Sequence, residues 1–183
     1  MIEDSNPIMR KLWVWQANRN LHSDMIPQQY TSLYILGLFG KYKYVEKIVP
    51  FLDNSSQVLR NKASEALKQI YTRLEDIIEK ATFEKLVYEE FETSTRLTHK
   101  LAIIEIIREF SLQKREEFLG PLITQSENDL QYIVIRSLAD TKNFDLLDGV
   151  LDSANTTDLI LRKSALKTWY EGIKLHELSE VIK

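Results

Sequence analysis

VPFLDNSSQVLRNKASEAL, residues 49–67, is the stretch that decides the fold, because it holds two apolar patterns joined by a polar turn. In the second pattern, Ala63, Ala66 and Leu67 follow Arg60 by three, six and seven residues. That spacing places them on one face of a helix. Small residues on such a face let a neighbouring helix approach closely, while the large apolar residue fills the groove between the two. The stretch therefore predicts the junction between two packed helices.

A similar frame recurs along the chain at nearly constant spacing. Its anchor is Arg60, or the matching residue Arg96, Gln131, Arg162 or, in a degenerate first copy, Ile26. Successive anchors are separated by 34, 36, 35 and 31 residues. A fixed period of about 30 to 47 residues is typical of solenoids built from stacked helical hairpins. The sequence therefore predicts an all-α, right-handed α-α superhelix of about five helical hairpins.

Polar clusters separate the predicted units. Asn, Asp, Ser and Thr concentrate at 53–56, 92–95, 124–129 and 152–158. These residue types commonly end one helix and N-cap the next. We expect a single domain of residues 1–183 with a capping helix at about 7–21. The five repeats are expected at about 26–53, 54–92, 93–125, 126–153 and 154–183. The stretch LQYIVIRSL at 130–138 has strand propensity, but the repeat frame predicts a helix there.

One further helix is predicted ahead of the repeats. Asn6 is a candidate N-cap, and Pro7 suits the first helical position because its missing N–H is not needed there. The end of a solenoid must cover a core that has no further neighbour. We therefore expect this helix to bury one apolar stripe and its apolar neighbours: Ile8, Leu12 and Trp15, flanked by Met9 and Trp13.

Residues 44–70, YVEKIVPFLDNSSQVLRNKASEALKQI, resemble a HEAT repeat. In that pattern a Val-Pro-x-Leu helix ends in Asp, and the next helix opens with a hydrophobic-Arg pair followed by spaced alanines. The matching positions are Val49, Pro50, Leu52, Asp53, Leu59, Arg60, Ala63, Ala66 and Leu67. The resemblance implies a HEAT-like solenoid. Such repeats occur in adaptors, transport factors, lyase subunits and a few enzymes, so the resemblance does not fix a function.

Composition restricts the classes of function. The chain has no cysteine, which excludes disulfides, thiol nucleophiles and Cys-ligated metal sites and suits an intracellular protein. No stretch has the pattern of a signal peptide or a membrane span, so we expect a cytoplasmic protein with no membrane contact. The net charge of −3 and the pI of about 5.7 disfavour nucleic-acid binding, which generally needs a basic stripe.

No catalytic or metal-binding constellation is recognised, and we expect neither a cofactor nor a metal. The HEAT-repeat deoxyhypusine hydroxylases hold iron with several His-Glu pairs, whereas this chain has one such pair, at His176 and Glu177. The HEAT-like alkylpurine DNA glycosylases use aromatic and acidic residues in a basic groove. The candidate cluster of these residue types is Trp-Tyr-Glu at 169–171, but Trp169 also occupies a core position of the repeat frame. His99 matches Ala63 in the frame, so we expect a hydrogen-bonded core or interface histidine.

The remaining class of function is binding, and the most acidic predicted helix indicates where it would occur. In a HEAT-type solenoid the second helices of the hairpins line the concave face. The segment Leu74–Glu92 carries seven acids against Lys80 and Lys85. These charges either solvate an exposed face or present a groove for a basic peptide or protein. In the second case, the predicted contact residues are Glu75, Glu79, Phe83, Glu84, Tyr88, Glu89, Glu90 and Phe91.

The sequence therefore predicts a protein-interaction module or scaffold subunit whose partner is another protein or peptide. The alternative is a nucleic-acid-binding or DNA-repair protein of the same fold. The charge of the concave face discriminates between the two, because an acidic or apolar groove favours a protein and a continuous basic one favours nucleic acid.

Overall fold

The structure, a computed structural model, describes residues 6–125 and 128–181, and their side chains other than those at 125 and 175–181. Within these residues every regular element is helical, which confirms the all-α prediction. The α-helices are α1 (Pro7–Asn20), α2 (Ile26–Phe39), α3 (Val45–Ile48), α4 (Gln57–Arg73), α5 (Ile77–Thr93), α6 (Leu97–Ile107), α7 (Leu112–Leu119), α8 (Leu122–Gln125), α9 (Asn128–Ser137), α10 (Phe144–Asp152) and α11 (Leu159–Val181). Two 3-10 segments, Tyr42–Tyr44 and Val49–Asp53, flank α3.

Contacts divide the chain into two compact units, one up to Glu109 and one from Phe110 onwards. In the first unit α1 packs on α2, α2 on α4 and α4 on α6, while α5 packs on α6 and α3. In the second unit α9 and α10 both pack on α11, and α8 packs on α9. Successive first helices of the predicted repeats are thus neighbours in the first unit.

The recurring frame places its small and apolar residues in the core. Ala63 and Leu67 are fully buried, and Ala66 is 1% exposed. The matching Val134 of α9, and Leu138 directly after that helix, are fully buried as well. The stretch at 130–138 is helical up to Ser137, as the frame predicts despite its strand propensity. The repeat frame therefore identified core positions correctly.

The anchor residues fasten the linkers between helices. The Arg60 guanidinium donates hydrogen bonds to the carbonyls of Asn54 at 2.6 Å and Ser55 at 3.0 Å. The Arg96 guanidinium pairs with the Asp53 carboxylate at 2.8 Å. Two other anchors also donate to backbone carbonyls, Gln131 to Ile123 and Arg162 to Ala154. A long side-chain donor at this position satisfies carbonyls that no helix pairs.

Helices α2 and α4 approach each other closely at Gly37 and Ala66. A Cβ added at Gly37 would lie 3.0 Å from the Ala66 Cα and 3.2 Å from the Ala66 Cβ. Nearby, the Lys62 ammonium lies 5.0 Å from the centre of the Tyr30 ring. Burial opposes its charge, yet a hydrogen bond to Glu65 holds the pKa of Lys62 above its ordinary value. Small residues and a paired lysine therefore fill this interface.

Helix α1 does cover α2, and Trp13 takes part in the contact as predicted, but the predicted stripe and Met9 do not. Trp13 packs on Phe39 with ring centroids 6.3 Å apart, and Ala17 is only 2% exposed. The small side chain of Ala17 lets the two helices approach. The predicted stripe is wrong, because its members face solvent at 74%, 48% and 54% exposure: Ile8, Leu12 and Trp15.

Several predicted second helices differ from the observed ones. The second half of repeat 26–53 is a 3-10, α, 3-10 succession rather than one helix. Pro50 has no N–H to donate, which accounts for the end of the α-helical hydrogen bonding after α3. The predicted helix at 74–92 begins later, at Ile77, where Asp76 N-caps it. Repeat 154–183 is not a hairpin in its described part, since α11 continues through both predicted helices.

We predict that Ala66→Leu destabilises the first unit by about 1–3 kcal/mol, because the added carbons meet α2 where there is no space for them. Urea denaturation followed by circular dichroism measures the change. The same substitution at Ala81, which is exposed on α5, serves as the control and should alter stability by less than about 0.5 kcal/mol. Equal stability of the two variants would contradict the close packing of α2 on α4.

Candidate binding groove

Three of the contact residues predicted from the sequence are buried in the structure. Phe83 is fully buried, Phe91 is 2% exposed and Glu84 is 8% exposed. Phe83 stacks on Tyr71 with ring centroids 5.2 Å apart, and the Tyr71 hydroxyl donates a hydrogen bond to the Glu84 carboxylate at 2.8 Å. Three of the eight predicted contact residues, including two of the three aromatic ones, therefore belong to the core.

The other five predicted contact residues are accessible to different degrees. Glu75 and Glu89 are exposed, and Tyr88, Glu79 and Glu90 are half-buried. The Glu89 carboxylate lies 3.6 Å from the Lys85 ammonium, so part of the exposed acidic charge is already paired. The predicted acidic surface on α5 therefore keeps its accessible residues as candidates but lacks the buried Phe83, Glu84 and Phe91.

A different groove lies at the end of the first unit that contains α1. It has a volume of about 760 Å³ and is bounded by residues 10–18 of α1, residues 38–44 at the α2–α3 connection, and residues 70–79 at the junction of α4 and α5. We refer to this cavity as the basic groove. A smaller hollow of about 380 Å³ shares part of its lining and extends along α4 to Gln69 and Thr72.

The charged side chains of the basic groove are nearly all cationic. Five cations line it, Arg10, Lys11, Lys41, Lys43 and Arg73, against the single acid Glu79. The field of five positive charges at one concave surface raises the local concentration of anions. The basic groove is therefore suited to an anionic ligand.

Two hydrogen bonds fix the cationic rim to the fold. The Arg73 guanidinium donates to the carbonyl of Gly40 at 3.1 Å, which ties the end of α4 to the end of α2. Desolvation by its neighbours lowers the pKa of Arg73, but an arginine stays charged at neutral pH. The Lys47 ammonium donates to the Asn18 side chain at 2.8 Å and brings a further cation to the edge of the basic groove.

Apolar and aromatic side chains form the floor and walls. Ile70 and Leu74 are almost completely buried, whereas Val14, Leu38 and Phe39 are half-buried and so remain accessible from the groove. Trp15 is 54% exposed and Tyr44 is half-buried. A partly exposed apolar floor under a charged rim is typical of a binding site.

The basic groove was not predicted from the sequence, although a local excess of positive charge indicates it. Residues 6–48 contain six Lys or Arg against two Asp or Glu, a net charge of +4 in a chain of net charge −3. The whole-chain charge hides this local excess. The lining also comes from three separate segments, so it makes no motif.

The remaining sequence candidates do not form a reactive site in the described part of the chain. His99 is buried as predicted, but its Nε2 lies 3.4 Å from the Glu90 carboxylate without a hydrogen-bond partner. The side chains of His176 and Glu177 lie outside the described residues. Among the described side chains there is no group of three His, Cys, Asp or Glu placed to hold a metal. None of the described helices has the length and apolar character needed to cross a membrane.

No protein-family model and no curated protein matches the chain. Two solved structures, both engineered proteins determined by the Northeast Structural Genomics Consortium, are similar to it. One is 15% identical, with coverage of 94% of this chain and 86% of that chain, and a TM-score of 0.49. The other is 16% identical, with coverage of 87% of this chain and 47% of that chain, and a TM-score of 0.48.

We predict that Glu84→Ala destabilises the protein by about 1–3 kcal/mol, because the buried Tyr71 hydroxyl loses its acceptor. Glu89→Ala, on the same helix but exposed, is the matched control and should cost less than about 0.5 kcal/mol. Thermal and urea denaturation of both variants measure the difference. An equal effect of the two substitutions would show that Glu84 is not part of the core.

Proposed function

We propose that the chain is a HEAT-like α-solenoid that acts as a protein-interaction module and holds a segment of another protein in the basic groove. The observation that carries the proposal is the combination, in one concavity, of five cations with a partly exposed apolar floor. The solenoid part is supported by the packing of α2 on α4 and of α4 on α6, and by the anchor side chains that fasten successive linkers.

The proposed binding place differs from the sequence-based one. The acidic helix predicted a basic partner on the face of α5, but three of the eight predicted contact residues belong to the core. The basic groove instead complements an acidic partner. One side of α1, the α2–α3 connection and the α4–α5 junction line it, and Glu79 in the first turn of α5 is its one residue from the predicted acidic surface.

Nucleic-acid binding is the second candidate, and one observation favours it. Cations next to aromatic rings are what single-stranded nucleic acids commonly require, and the basic groove has both, in Trp15, Phe39 and Tyr44 beside its lysines and arginines. The basic charge is local, however, since the rest of the chain is strongly acidic. We rank this candidate below a protein ligand.

Affinity capture from cell lysate with a matched pair of variants tests the proposal. The groove variant carries Lys11→Glu, Lys41→Glu and Lys43→Glu. The control carries Lys142→Glu, Lys163→Glu and Lys174→Glu, which change the net charge equally at exposed sites of the second unit. We expect the wild type and the control to capture the same proteins, and the groove variant to lose at least one of them.

Two outcomes would contradict this proposal. If the groove variant captures the same proteins as the control, the basic groove is not the binding site. If nuclease treatment of the lysate removes all captured proteins, the module binds nucleic acid. Circular dichroism of each variant beforehand checks that the exposed substitutions leave the helices folded.

A further inference from the structure

We infer that the ligand of the basic groove is a short acidic peptide segment that also carries apolar anchor residues. This inference rests on the proposed function and specifies the chemistry of the partner. It follows from four features of the groove: cations without an acidic partner among the described side chains, a partly exposed apolar floor, aromatic rings that each carry a cation on one face, and the volume of the cavity.

Four of the five cations of the basic groove have no acidic partner among the described side chains. Lys11, Lys41, Lys43 and Arg73 form no ion pair with a carboxylate of the described residues. Elsewhere in the same unit pairing is common, as for Lys68, which lies 3.8 Å and 3.5 Å from the carboxylates of two glutamates of the first unit. Concentrated, uncompensated charge raises the affinity and the association rate of an oppositely charged ligand.

The floor of the basic groove also exposes apolar surface, which a purely charged ligand would not bury. Val14, Leu38 and Phe39 keep part of their apolar surface accessible, and Trp15 is more than half exposed. Burying such surface against apolar atoms contributes about 25 cal/mol per Å². A peptide of acidic residues only would leave this apolar surface exposed to water. A peptide in which acids alternate with Leu or Phe would pair with the cationic rim and also bury the apolar floor.

The aromatic rings of the basic groove disfavour nucleic acid. The Arg19 guanidinium lies 4.9 Å from the centre of the Trp15 ring, and the Lys43 ammonium lies 5.3 Å from that of Tyr44. A base that stacks on the same face of either ring must displace the cation first. Carboxylates can instead meet the cations where they are, without losing the cation–π contacts.

The volume of the basic groove limits the length of the segment that it can hold. A cavity of about 760 Å³ falls within the range of about 300–1,000 Å³ that is usual for sites that hold small ligands. It accommodates a few residues of an extended or helical segment rather than the face of a folded domain. The occupant is therefore a short segment, in which alternate or i, i+3 and i+4 apolar residues enter the floor.

Fluorescence anisotropy with defined probes tests the inference on the full chain. The labelled peptide Glu-Glu-Leu-Phe-Glu-Glu-Leu-Phe is compared with a counterpart in which Gln replaces Glu, with one in which Ser replaces Leu and Phe, and with an oligothymidylate of similar length. We expect the first peptide to bind at least about tenfold more tightly than each of the others. Its affinity should fall as salt rises from about 50 to about 200 mM.

Two variants locate the binding. Lys11→Glu combined with Lys41→Glu and Lys43→Glu should weaken binding of the acidic apolar peptide by at least about tenfold, and the triple control in the second unit should not. Trp15→Ala should weaken the same peptide but leave the weak binding of the Ser-containing peptide unchanged. Because Trp15 is largely exposed, this variant is expected to fold, and a thermal melt verifies it.

Three results would overturn the inference. The oligothymidylate could bind as tightly as the peptide, the Gln counterpart could bind equally well, or no peptide could bind at concentrations up to about 1 mM. Any of these rejects an acidic apolar segment as the ligand. The proposed function would still stand if lysate capture of proteins depends on the basic groove, and it would fall with the inference if that capture is also insensitive to the groove variant.

Discussion

The close approach of α2 to α4 at Gly37 and Ala66 is the constraint on which the first unit depends. It leaves no room for larger side chains between the helices, so it fixes their separation. The basic groove begins directly beside this contact. It is lined by Leu38 and Phe39, which follow Gly37 on α2, and by Ile70, one turn after Ala66 on α4. The shape of the groove is thus a consequence of how the two helices pack.

Charge is distributed unevenly around this framework. Acids and bases pair across the helices of the first unit, as Asp53 does with Arg96, and such exposed pairs add little stability. Near α1, Lys41 and Lys43 of the α2–α3 connection have no such partner within the part of the chain that the structure describes. Mutual repulsion among them costs some stability, which a bound anionic ligand would relieve. A site of this kind is consistent with binding rather than with support of the fold.

Much of the fold could be predicted from the sequence, and the reason is packing. Ala63, Ala66 and Leu67 mark the buried face through helical spacing, and the frame identified α9 although its residues favour strands. The face of α1 could not be predicted, because α1 is apolar on two sides and only the small Ala17 on the true inner side allows close contact. The continuity of α11 was missed because every repeat was expected to be a hairpin, so two helices were predicted at 154–183.

The candidate site could be predicted far less well. Acidic residues of α5 suggested an exposed surface, but Glu84 is held in the core by the hydroxyl of Tyr71, a partner in another helix that sequence spacing does not reveal. The basic groove joins residues from α1, from the α2–α3 connection and from the α4–α5 junction. Only the tertiary fold brings these together, so the local excess of positive charge was the one signal available.

The most direct test of the account is an NMR titration of the isotope-labelled protein with the acidic apolar peptide, following the backbone amide of each residue. The account predicts that the largest shifts occur at residues 10–18, 38–44 and 70–74, with little change along the middle of α5. Shifts concentrated on the exposed side of α5, or spread evenly over the surface, would contradict it.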